Sequence, residues 1–284
     1  ILRRASELVL QRKTELAETI SREEGKAIRE SLYEVERAAN TLELSAEEAR
    51  RISGELLPLD GGPGVQNKLG FTLRIPCGVV AAITPFNFPL NLVCHKVGPA
   101  IAAGNSVILK PASDTPLVAL KLVEILLQAG LPENGINCLT GRGSVVGNAI
   151  CSDARIRKIS FTGSREVGQA ITQIAGLKRV TMELGSNCPL VVMPDADLEK
   201  VAKITAIHGY SNAGQVCISA QRVIVADEKY EEFAECLVPH VESIVSGDPL
   251  QQQTEMGPMV RERDARRVHE WVQEATAAGA RMPC

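Results

Sequence analysis

The sequence lacks several features that define specialised classes of protein. Its 284 residues carry 31 lysines and arginines against 34 aspartates and glutamates, so there is no basic excess for binding nucleic acid or anionic lipid. No apolar run approaches the roughly 20 residues of a membrane helix. Low-complexity tracts are absent, and 45% of the residues are hydrophobic. We therefore expect a globular protein with a substantial core that binds neither nucleic acid nor membranes.

Eight cysteines are present, but no two of them have CxxC spacing. Most lie in apolar segments, where a free cysteine packs as a small hydrophobe. The opening residues, Ile1-Leu2-Arg3-Arg4, already follow an amphipathic pattern and do not resemble a signal peptide. Long, core-rich chains without a secretory segment rarely depend on disulfides. We expect free thiols, a reducing cytoplasmic location and no metal site.

Hydrophobic periodicity predicts helices first and then alternating strands and helices. Residues 1–53 are predicted to form two helices with a break at Gly25. After a loop rich in glycine and proline, predicted strands alternate with helices; the strands are 71–75, 79–83, 106–110, 136–139, 157–161 and 178–183. Short apolar strands joined by crossover helices indicate a parallel sheet covered on both faces. Ligands bind such sheets at the carboxyl ends of the strands.

A second block begins at residue 184, where the predicted elements are strands 190–193 and 223–225 and helices 197–212, 229–245 and 261–278. We predict an α/β fold with two domains. A Rossmann-like parallel-sheet cofactor-binding domain with N-terminal helices spans residues 1–183, and part of an α/β catalytic domain spans residues 184–284. Nothing after the last helix completes a domain, so we expect the chain to be incomplete.

Three polar segments lie where predicted strands end. Residues 84–89 (T-P-F-N-F-P) form a proline-bracketed turn, in which the Asn87 amide could stabilise a developing oxyanion. Lys110 is either a solvated cation or, with Ser113, a donor to a ribose. Residues 161–168 (F-T-G-S-R-E-V-G) form a strand–turn–helix whose exposed amides favour a phosphate, although the GxGxxG fingerprint is missed. The glycine-rich segment 141–147 also misses it, and a turn into a helix explains it.

Two further segments, residues 182–185 (M-E-L-G) and 214–217 (G-Q-V-C), contain Glu183 and Cys217. Glu183 ends an apolar strand, where partial desolvation would suit it to act as a general base. Cys217 follows the polar stretch N-A-G-Q (212–215), unlike the cysteines within apolar runs. A single cysteine among eight is more often structural than catalytic, so spacing alone leaves both interpretations open.

Together and in this order, the segments resemble the aldehyde dehydrogenase superfamily. Its pattern is P-[FW]-N-[FY]-P, K-P-x-x, F-T-G-S, E-L-G-[GS] and G-Q-x-C. The similarity covers essentially the whole chain and looks closest to the semialdehyde, lactaldehyde and non-phosphorylating glyceraldehyde-phosphate branches. It implies NAD(P)-dependent oxidation of an aldehyde to a carboxylic acid through a cysteine thiohemiacetal and thioester. It also implies a homodimer or homotetramer when the protein is full length.

The resemblance implies roles for individual residues. Cys217 would be the nucleophile, Glu183 the general base that activates water, and Asn87 the oxyanion donor. The implied cofactor contacts are Ile83, Thr84, Pro85, Phe86, Lys110, Pro111, Ser113, Phe161, Thr162, Gly163, Ser164, Val167, Gly168, Leu184 and Gly185. Ser113 replaces the glutamate of many NAD-preferring relatives, so the expected cofactor is NAD or NADP. Ser186 replaces the commoner second glycine of E-L-G-G.

Other functions remain open at this point. A CoA-acylating dehydrogenase would pass the acyl group to CoA, but similar enzymes usually lack the glutamate that Glu183 provides. A truncated, non-catalytic form would keep the fold without turnover, since the family's downstream E-x-F-G-P segment is absent from the sequence. A cysteine hydrolase fits less well, because no histidine lies in a recognisable partner motif.

Overall fold

The computed structural model describes residues 1–59, 61–65 and 67–283. Its helices are α1 (Leu2–Gln11), α2 (Lys13–Glu24), α3 (Ile28–Ala49), α4 (Asn91–Ala102), α5 (Leu117–Gln128), α6 (Asn148–Ser152), α7 (Arg165–Ala175), α8 (Leu198–Tyr210), α9 (Tyr230–Glu242) and α10 (Glu262–Ala277). Its strands are β1 (Leu56–Leu57), β2 (Gly70–Phe71), β3 (Val79–Ile83), β4 (Ser106–Lys110), β5 (Ile136–Cys138), β6 (Ile156–Thr162), β7 (Arg179–Glu183), β8 (Pro189–Val192) and β9 (Arg222–Val225). Within the described ranges, no helix is both long and apolar enough to cross a bilayer.

The chain divides into two compact units. The first contains residues 1–12, 36–162 and 166–182, and the second contains residues 13–35, 163–165 and 183–284. The parallel sheet belongs to the first unit, apart from the last residue of β7, and Cys217 belongs to the second. The sequence-based division into domains 1–183 and 184–284 stays a prediction.

The central sheet of the first unit has the strand order β5-β4-β3-β6-β7. Strand β3 pairs in parallel with β4 and β6, and β4 pairs in parallel with β5. The chain thus builds outward from β3 to one edge and then crosses back to build toward the other. This is the strand order of a doubly wound dinucleotide-binding sheet, whose switch point lies between β3 and β6. The predicted α/β class with a parallel sheet is confirmed.

Helices cover both faces of this sheet, because apolar side chains project from each face and must be buried. On one side, strand residues pack against α6 and α7 in a buried cluster of Ala81, Ile83, Ile150, Cys151, Ile156, Ile159, Phe161, Ile171 and Ala175. Helices α4 and α5 bury their own apolar positions, including Val93, Val97, Leu122, Ile125 and Leu126. The carboxyl ends of the strands, which include Lys110 and Thr162, lie at one edge of the sheet.

The second unit is built around the parallel pair β8–β9. Val192 of β8 packs with Leu198 and Ala202 of α8 and with Phe233 of α9 in a small buried cluster. Helix α10 has no buried residue. The start of α3 is tied to a distant segment of the same unit, because the backbone N–H of Ile28 donates to the carbonyl of Pro249 at 2.7 Å.

Three predicted elements are wrong in detail. The N-terminal region has three helices, because Arg12 leaves the helical conformation (φ −99°, ψ 20°) between α1 and α2. The predicted strand 71–75 is reduced to Gly70–Phe71, which pairs with Leu56–Leu57, while Leu73 and Ile75 are 73% and 80% exposed. The predicted helix 144–150 begins as a π-helical turn over Gly143–Gly147 before α6.

Candidate active site

Three predicted cofactor residues lie side by side at the carboxyl edge of the sheet. Ile83 of β3 is in register with Lys110 of β4 on one side and with Phe161 of β6 on the other. The backbone N–H of Thr84 donates to the Lys110 carbonyl at 3.2 Å, which prolongs the pairing by one residue. The edge that faces ligands in doubly wound sheets is therefore formed by the predicted segments.

Lys110 is buried, with only 4% of its surface exposed, so the interpretation as a solvated cation is wrong. Its ammonium group donates to the Pro111 carbonyl at 2.8 Å. Burial lowers the pKa of Lys110, against the opposing influence of Cys138 and Asp114. Burial also favours the neutral form of the nearby Cys138 thiol, and it therefore raises the pKa of that thiol to about 11. A buried amine with three donors suits a polar ligand at this edge.

Ser113 is exposed, and its hydroxyl donates to the carbonyl of Gly141 at 3.0 Å. The glycine-rich segment 141–147 therefore contacts Ser113, which is predicted to bind the ribose. No pattern in the sequence indicated this contact. Gly141 has a φ of +141°, and an added Cβ would lie 2.8 Å from a methyl group of Val146. Glycine is thus required where this turn passes Ser113.

Two threonine hydroxyls at the switch point are buried without a hydrogen-bond partner among the described residues. They belong to Thr84, immediately after β3, and to Thr162, the last residue of β6. Leaving a buried hydroxyl unsatisfied costs roughly 1–3 kcal/mol. Two such groups at the ends of adjacent strands fit the polar surface of a dinucleotide.

Asn87 lies in the turn between β3 and α4 and is 9% exposed. The turn is held in place by Thr115, whose hydroxyl donates to the Phe86 carbonyl at 3.5 Å. Pro85 and Phe86 are half-buried. The amide of Asn87 is therefore set in a packed turn of the first unit.

Glu183 is exposed, so its predicted desolvation is wrong. The reason is that β7 is the edge strand of the sheet, and only one neighbouring strand lies against it. The Glu183 carbonyl accepts a hydrogen bond from the backbone N–H of Gly163 at 3.1 Å. The predicted phosphate-binding turn and the predicted base are therefore linked through the backbone.

Cys217 has an exposed thiol. Hydrogen bonds connect its segment of the chain to the segment that follows Glu183. The Ser186 hydroxyl donates to the Cys217 carbonyl, and the Cys188 sulfur lies 3.6 Å from the same oxygen. The backbone N–H of Cys188 donates to the Gln221 side chain at 2.9 Å. These contacts join E-L-G-S to G-Q-V-C within one unit.

A left-handed turn precedes Cys217. Asn212, Ala213 and Gly214 have φ values of +50°, +54° and +74°. This conformation costs a residue such as alanine about 1–2 kcal/mol, so the turn needs external support. Gln215 supplies part of it, because its amide nitrogen donates to the Asn212 carbonyl at 3.0 Å and its amide oxygen accepts from the backbone N–H of Val260 at 3.1 Å.

The remaining predicted cofactor residues differ in exposure. Pro111 and Gly168 are buried, Gly163 is half-buried, and Ser164, Val167, Leu184 and Gly185 are exposed. The seven cysteines among the described residues are free thiols. Each predicted residue thus lies at a strand end, in a turn after a strand or in the first turns of α7.

The model of the aldehyde dehydrogenase family matches residues 1–284, the full length of the chain. The chain belongs to the aldehyde dehydrogenase family.

Individual members of the family show how much of a dehydrogenase is present. The 3-sulfolactaldehyde dehydrogenase of Priestia aryabhattai is 50% identical over 99% of this chain, which covers 59% of that protein. The structure of an NADP-dependent enzyme of E. coli has a TM-score of 0.96 and 38% identity, with coverage of 100% of this chain and 58% of that one. An NADP complex of glyceraldehyde-3-phosphate dehydrogenase from Methanocaldococcus jannaschii has a TM-score of 0.93 and 38% identity, covering 98% and 60%. The chain spans about three-fifths of these relatives.

This aldehyde dehydrogenase chain also contains a buried ionic cluster that sequence reasoning missed. Glu24, Lys26 and Glu34 are at most 2% exposed, and the Lys26 ammonium lies 2.5 Å from Glu34 and 3.5 Å from Glu24. A signal was available, because Glu24 continues the helical stripe of Leu16 and Ile20 at intervals of four residues. A carboxylate on a buried stripe predicts a paired, buried charge.

Proposed function

We propose that the full-length protein is an NAD(P)-dependent aldehyde dehydrogenase that oxidises an aldehyde to a carboxylic acid. One observation carries the proposal: the exposed thiol of Cys217 follows an anchored turn and is tied through Ser186 to the segment that Glu183 begins. A thiol that must attack a substrate needs access and a fixed position. Family membership and the strand-end edge at Lys110 support the same reaction.

The first step assigns Cys217 as the nucleophile. Its thiolate attacks the aldehyde carbon, a C–S bond forms, and the carbonyl oxygen becomes an alkoxide. The Asn87 amide donates to that oxygen; loss of one such donor typically costs about 3 kcal/mol of transition-state stabilisation. The dinucleotide that the strand-end residues would hold would supply the acceptor for a hydride, and loss of that hydride from the tetrahedral carbon leaves a thioester on Cys217.

The second step releases the acid. Glu183 takes a proton from water, the resulting hydroxide attacks the thioester carbon, and the C–S bond breaks to return the Cys217 thiolate. The exposure of Glu183 is consistent with a base that works on water. A CoA-acylating enzyme would not need this base, so Glu183 favours hydrolysis.

The cofactor role is assigned to the strand-end residues. We propose that Thr84, Lys110 and Thr162 hold the dinucleotide at the switch point and that Gly163 and Ser164 meet its phosphates before α7. Neither Ser113 nor its hydrogen-bond partner Gly141 carries a negative side chain, so no charge at these two positions repels a 2′-phosphate. NADP is supported by the two NADP-related structures above.

The substrate class follows from the relatives. Two of the relatives described above are named for aldehydes that carry a sulfonate or a phosphate, and on that ground we propose a short aldehyde with an anionic group. We further propose a cytoplasmic homodimer or homotetramer for the full-length protein.

The test measures NAD(P)H formation by the full-length protein with neutral, carboxylated, sulfonated and phosphorylated aldehydes and each dinucleotide. Cys217→Ala should lower the rate at least about 10³-fold, as removal of a covalent nucleophile does. Cys236→Ala is the matched control, since Cys236 is a free cysteine of α9 in the same unit. Undiminished turnover by Cys217→Ala, or formation of acyl-CoA without free acid, would contradict the proposal.

A further inference from the structure

We infer that Glu24 and Glu30, supported by Lys26 and Glu34, are positioning residues that set the backbone of the turn leading to Cys217. This inference rests on the proposed function and adds a second layer of residues behind the nucleophile. None of these four side chains lies in a segment that sequence reasoning assigned to the site. All belong to the same unit as Cys217.

Direct contacts join the two carboxylates to the turn. The Asn212 side-chain amide donates to Glu24 at 2.6 Å, and the Asn212 backbone N–H donates to Glu30 at 3.2 Å. The Ser211 hydroxyl donates to the other oxygen of Glu30. Two carboxylates therefore fix both the side chain and the backbone of the first left-handed residue, which is 3% exposed.

Charge interactions within the cluster of Glu24, Lys26 and Glu34 fix the positions of these side chains. Burial raises the pKa of Glu24, although Lys26 and Asn212 act to lower it. Burial alone would lower the pKa of Lys26, but Glu34 and Glu24 raise it above its ordinary value. The lysine therefore remains a cation between two acids, and its position determines where the Glu24 carboxylate can lie.

Stability alone is a poor explanation for such a cluster. The desolvation of buried ions commonly cancels the attraction between them, and apolar residues of similar volume often stabilise a core as well or better. In some proteins, buried ionic groups instead fix one geometry among several. The geometry fixed here is a turn that contains Ala213 at a φ of +54°, a conformation that alanine does not favour.

The residues that follow the turn are also held by hydrogen bonds, so a displacement of the turn is transmitted to Cys217. Gln215 links the Asn212 carbonyl to Val260. The Ser219 hydroxyl donates to the His208 carbonyl at 2.7 Å, and the Ser219 N–H donates to Val216 at 3.1 Å. Between these two anchors only Val216, Cys217 and Ile218 remain, so a change at Asn212 shifts the backbone that bears the thiol.

The decisive variant is Asn212→Gly in the full-length enzyme. Glycine accepts the left-handed φ but deletes the amide that donates to Glu24, so the contact is lost without new backbone strain. We expect kcat to fall about 10- to 100-fold, as for a small displacement of a reacting group. The KM for aldehyde and the Kd for dinucleotide should change less than about threefold. The rate of Cys217 alkylation by iodoacetamide, followed across pH, should change with kcat.

Two further variants keep the inference falsifiable. Glu30→Gln replaces one of two acceptor oxygens with a donor and should lower kcat in the same way. Glu24→Gln keeps an acceptor for Asn212 and should retain more activity than Asn212→Gly. Glu18→Gln, at an exposed position of α2, should match the parent enzyme. Circular dichroism and dinucleotide binding identify any variant that fails to fold; if Asn212→Gly is one, Glu30→Gln decides.

Unchanged kcat and an unchanged alkylation profile in folded Asn212→Gly or Glu30→Gln would overturn the inference. A parallel fall in kcat and in dinucleotide affinity would also overturn it, because it would indicate general damage. Cys217→Ala separates the two proposals. If that variant is active, the proposed function fails; if it is inactive while Asn212→Gly is normal, only the positioning role fails.

Discussion

The Ser186 hydroxyl donates a hydrogen bond to the backbone carbonyl of Cys217, 31 residues further along the chain. This contact exists because residue 186 carries a hydroxyl, which a glycine at that position would lack. It ties the segment after Glu183 to the segment that bears the thiol.

Ser186→Ala should therefore loosen the Cys217 segment. A single exposed hydrogen bond contributes about 1 kcal/mol, which corresponds to roughly a fivefold change in rate. We expect kcat and the Cys217 alkylation rate to fall by about that factor while dinucleotide affinity is retained. Ser243→Ala is the control, since its hydroxyl also donates to a carbonyl, that of His240 in α9. Equal kinetics in the two variants would show that the Ser186 contact has no effect.

Thr84→Val should separate cofactor binding from stability. The Thr84 hydroxyl is buried without a partner among the described residues, so an isosteric methyl should raise the free energy of unfolding by about 1 kcal/mol. Dinucleotide affinity should fall, because the variant lacks the hydroxyl that we propose to contact the cofactor. Thr205→Val removes another such hydroxyl in α8 and should stabilise without weakening binding. Urea unfolding and dinucleotide titration measure both effects; unaltered affinity in Thr84→Val would exclude the contact.

Ser113→Glu should change the choice of dinucleotide. A carboxylate at this exposed position would repel the 2′-phosphate of NADP, so its Kd should rise at least about tenfold while that of NAD changes much less. Ser113→Gln has a similar size without the charge and controls for steric effects. A titration in which both variants lose NADP affinity equally would point to size rather than charge.

Gly25→Ala should destabilise the second unit by about 2 kcal/mol or more. Gly25 has a φ of +93°, and an added Cβ would lie 2.7 Å from the Pro258 carbonyl oxygen. Gly130 has the same φ, but no atom lies within 4 Å of its added Cβ. Gly130→Ala therefore carries the backbone strain without the clash. Thermal unfolding of both variants should show the larger loss for Gly25→Ala, and equal losses would refute the steric argument.

The raised pKa of Glu24 should make the stability of the folded chain depend on pH. Burial raises the pKa of its carboxyl from 4.5 to about 7, so within that window the folded chain keeps a proton that the unfolded chain has released. The free energy of unfolding contributed by this group is therefore fully present below pH 4.5 and lost as the pH rises through 7. We expect a loss on the order of 3 kcal/mol. Urea unfolding at about pH 5 and pH 8 should show a smaller loss in Glu24→Gln, and an equal loss would contradict the raised pKa.

The position of much of the candidate site in the fold was predictable from sequence, because it depends on residues that are neighbours along the chain. Lys110 and Phe161 end predicted apolar strands and Thr84 directly follows one, and the ends of parallel strands must meet at one edge. The left-handed turn before Cys217 was signalled only as a polar, flexible stretch. The exposure of Glu183 was not predictable, since a strand pattern does not reveal whether the strand lies at the edge of a sheet.

The sequence by itself determined the family, the strand ends and the identity of the candidate nucleophile and base, because those features are carried by residues within short segments. Only the tertiary structure decided which residues contact the segments that carry these candidates. Glu24 and Asn212 are 188 residues apart, and Ser113 meets Gly141 across 28. Local propensity contains no information about such pairs. They form because folding brings distant segments together, and for the buried pair Glu24 and Asn212 the loss of water makes a partner within the protein necessary.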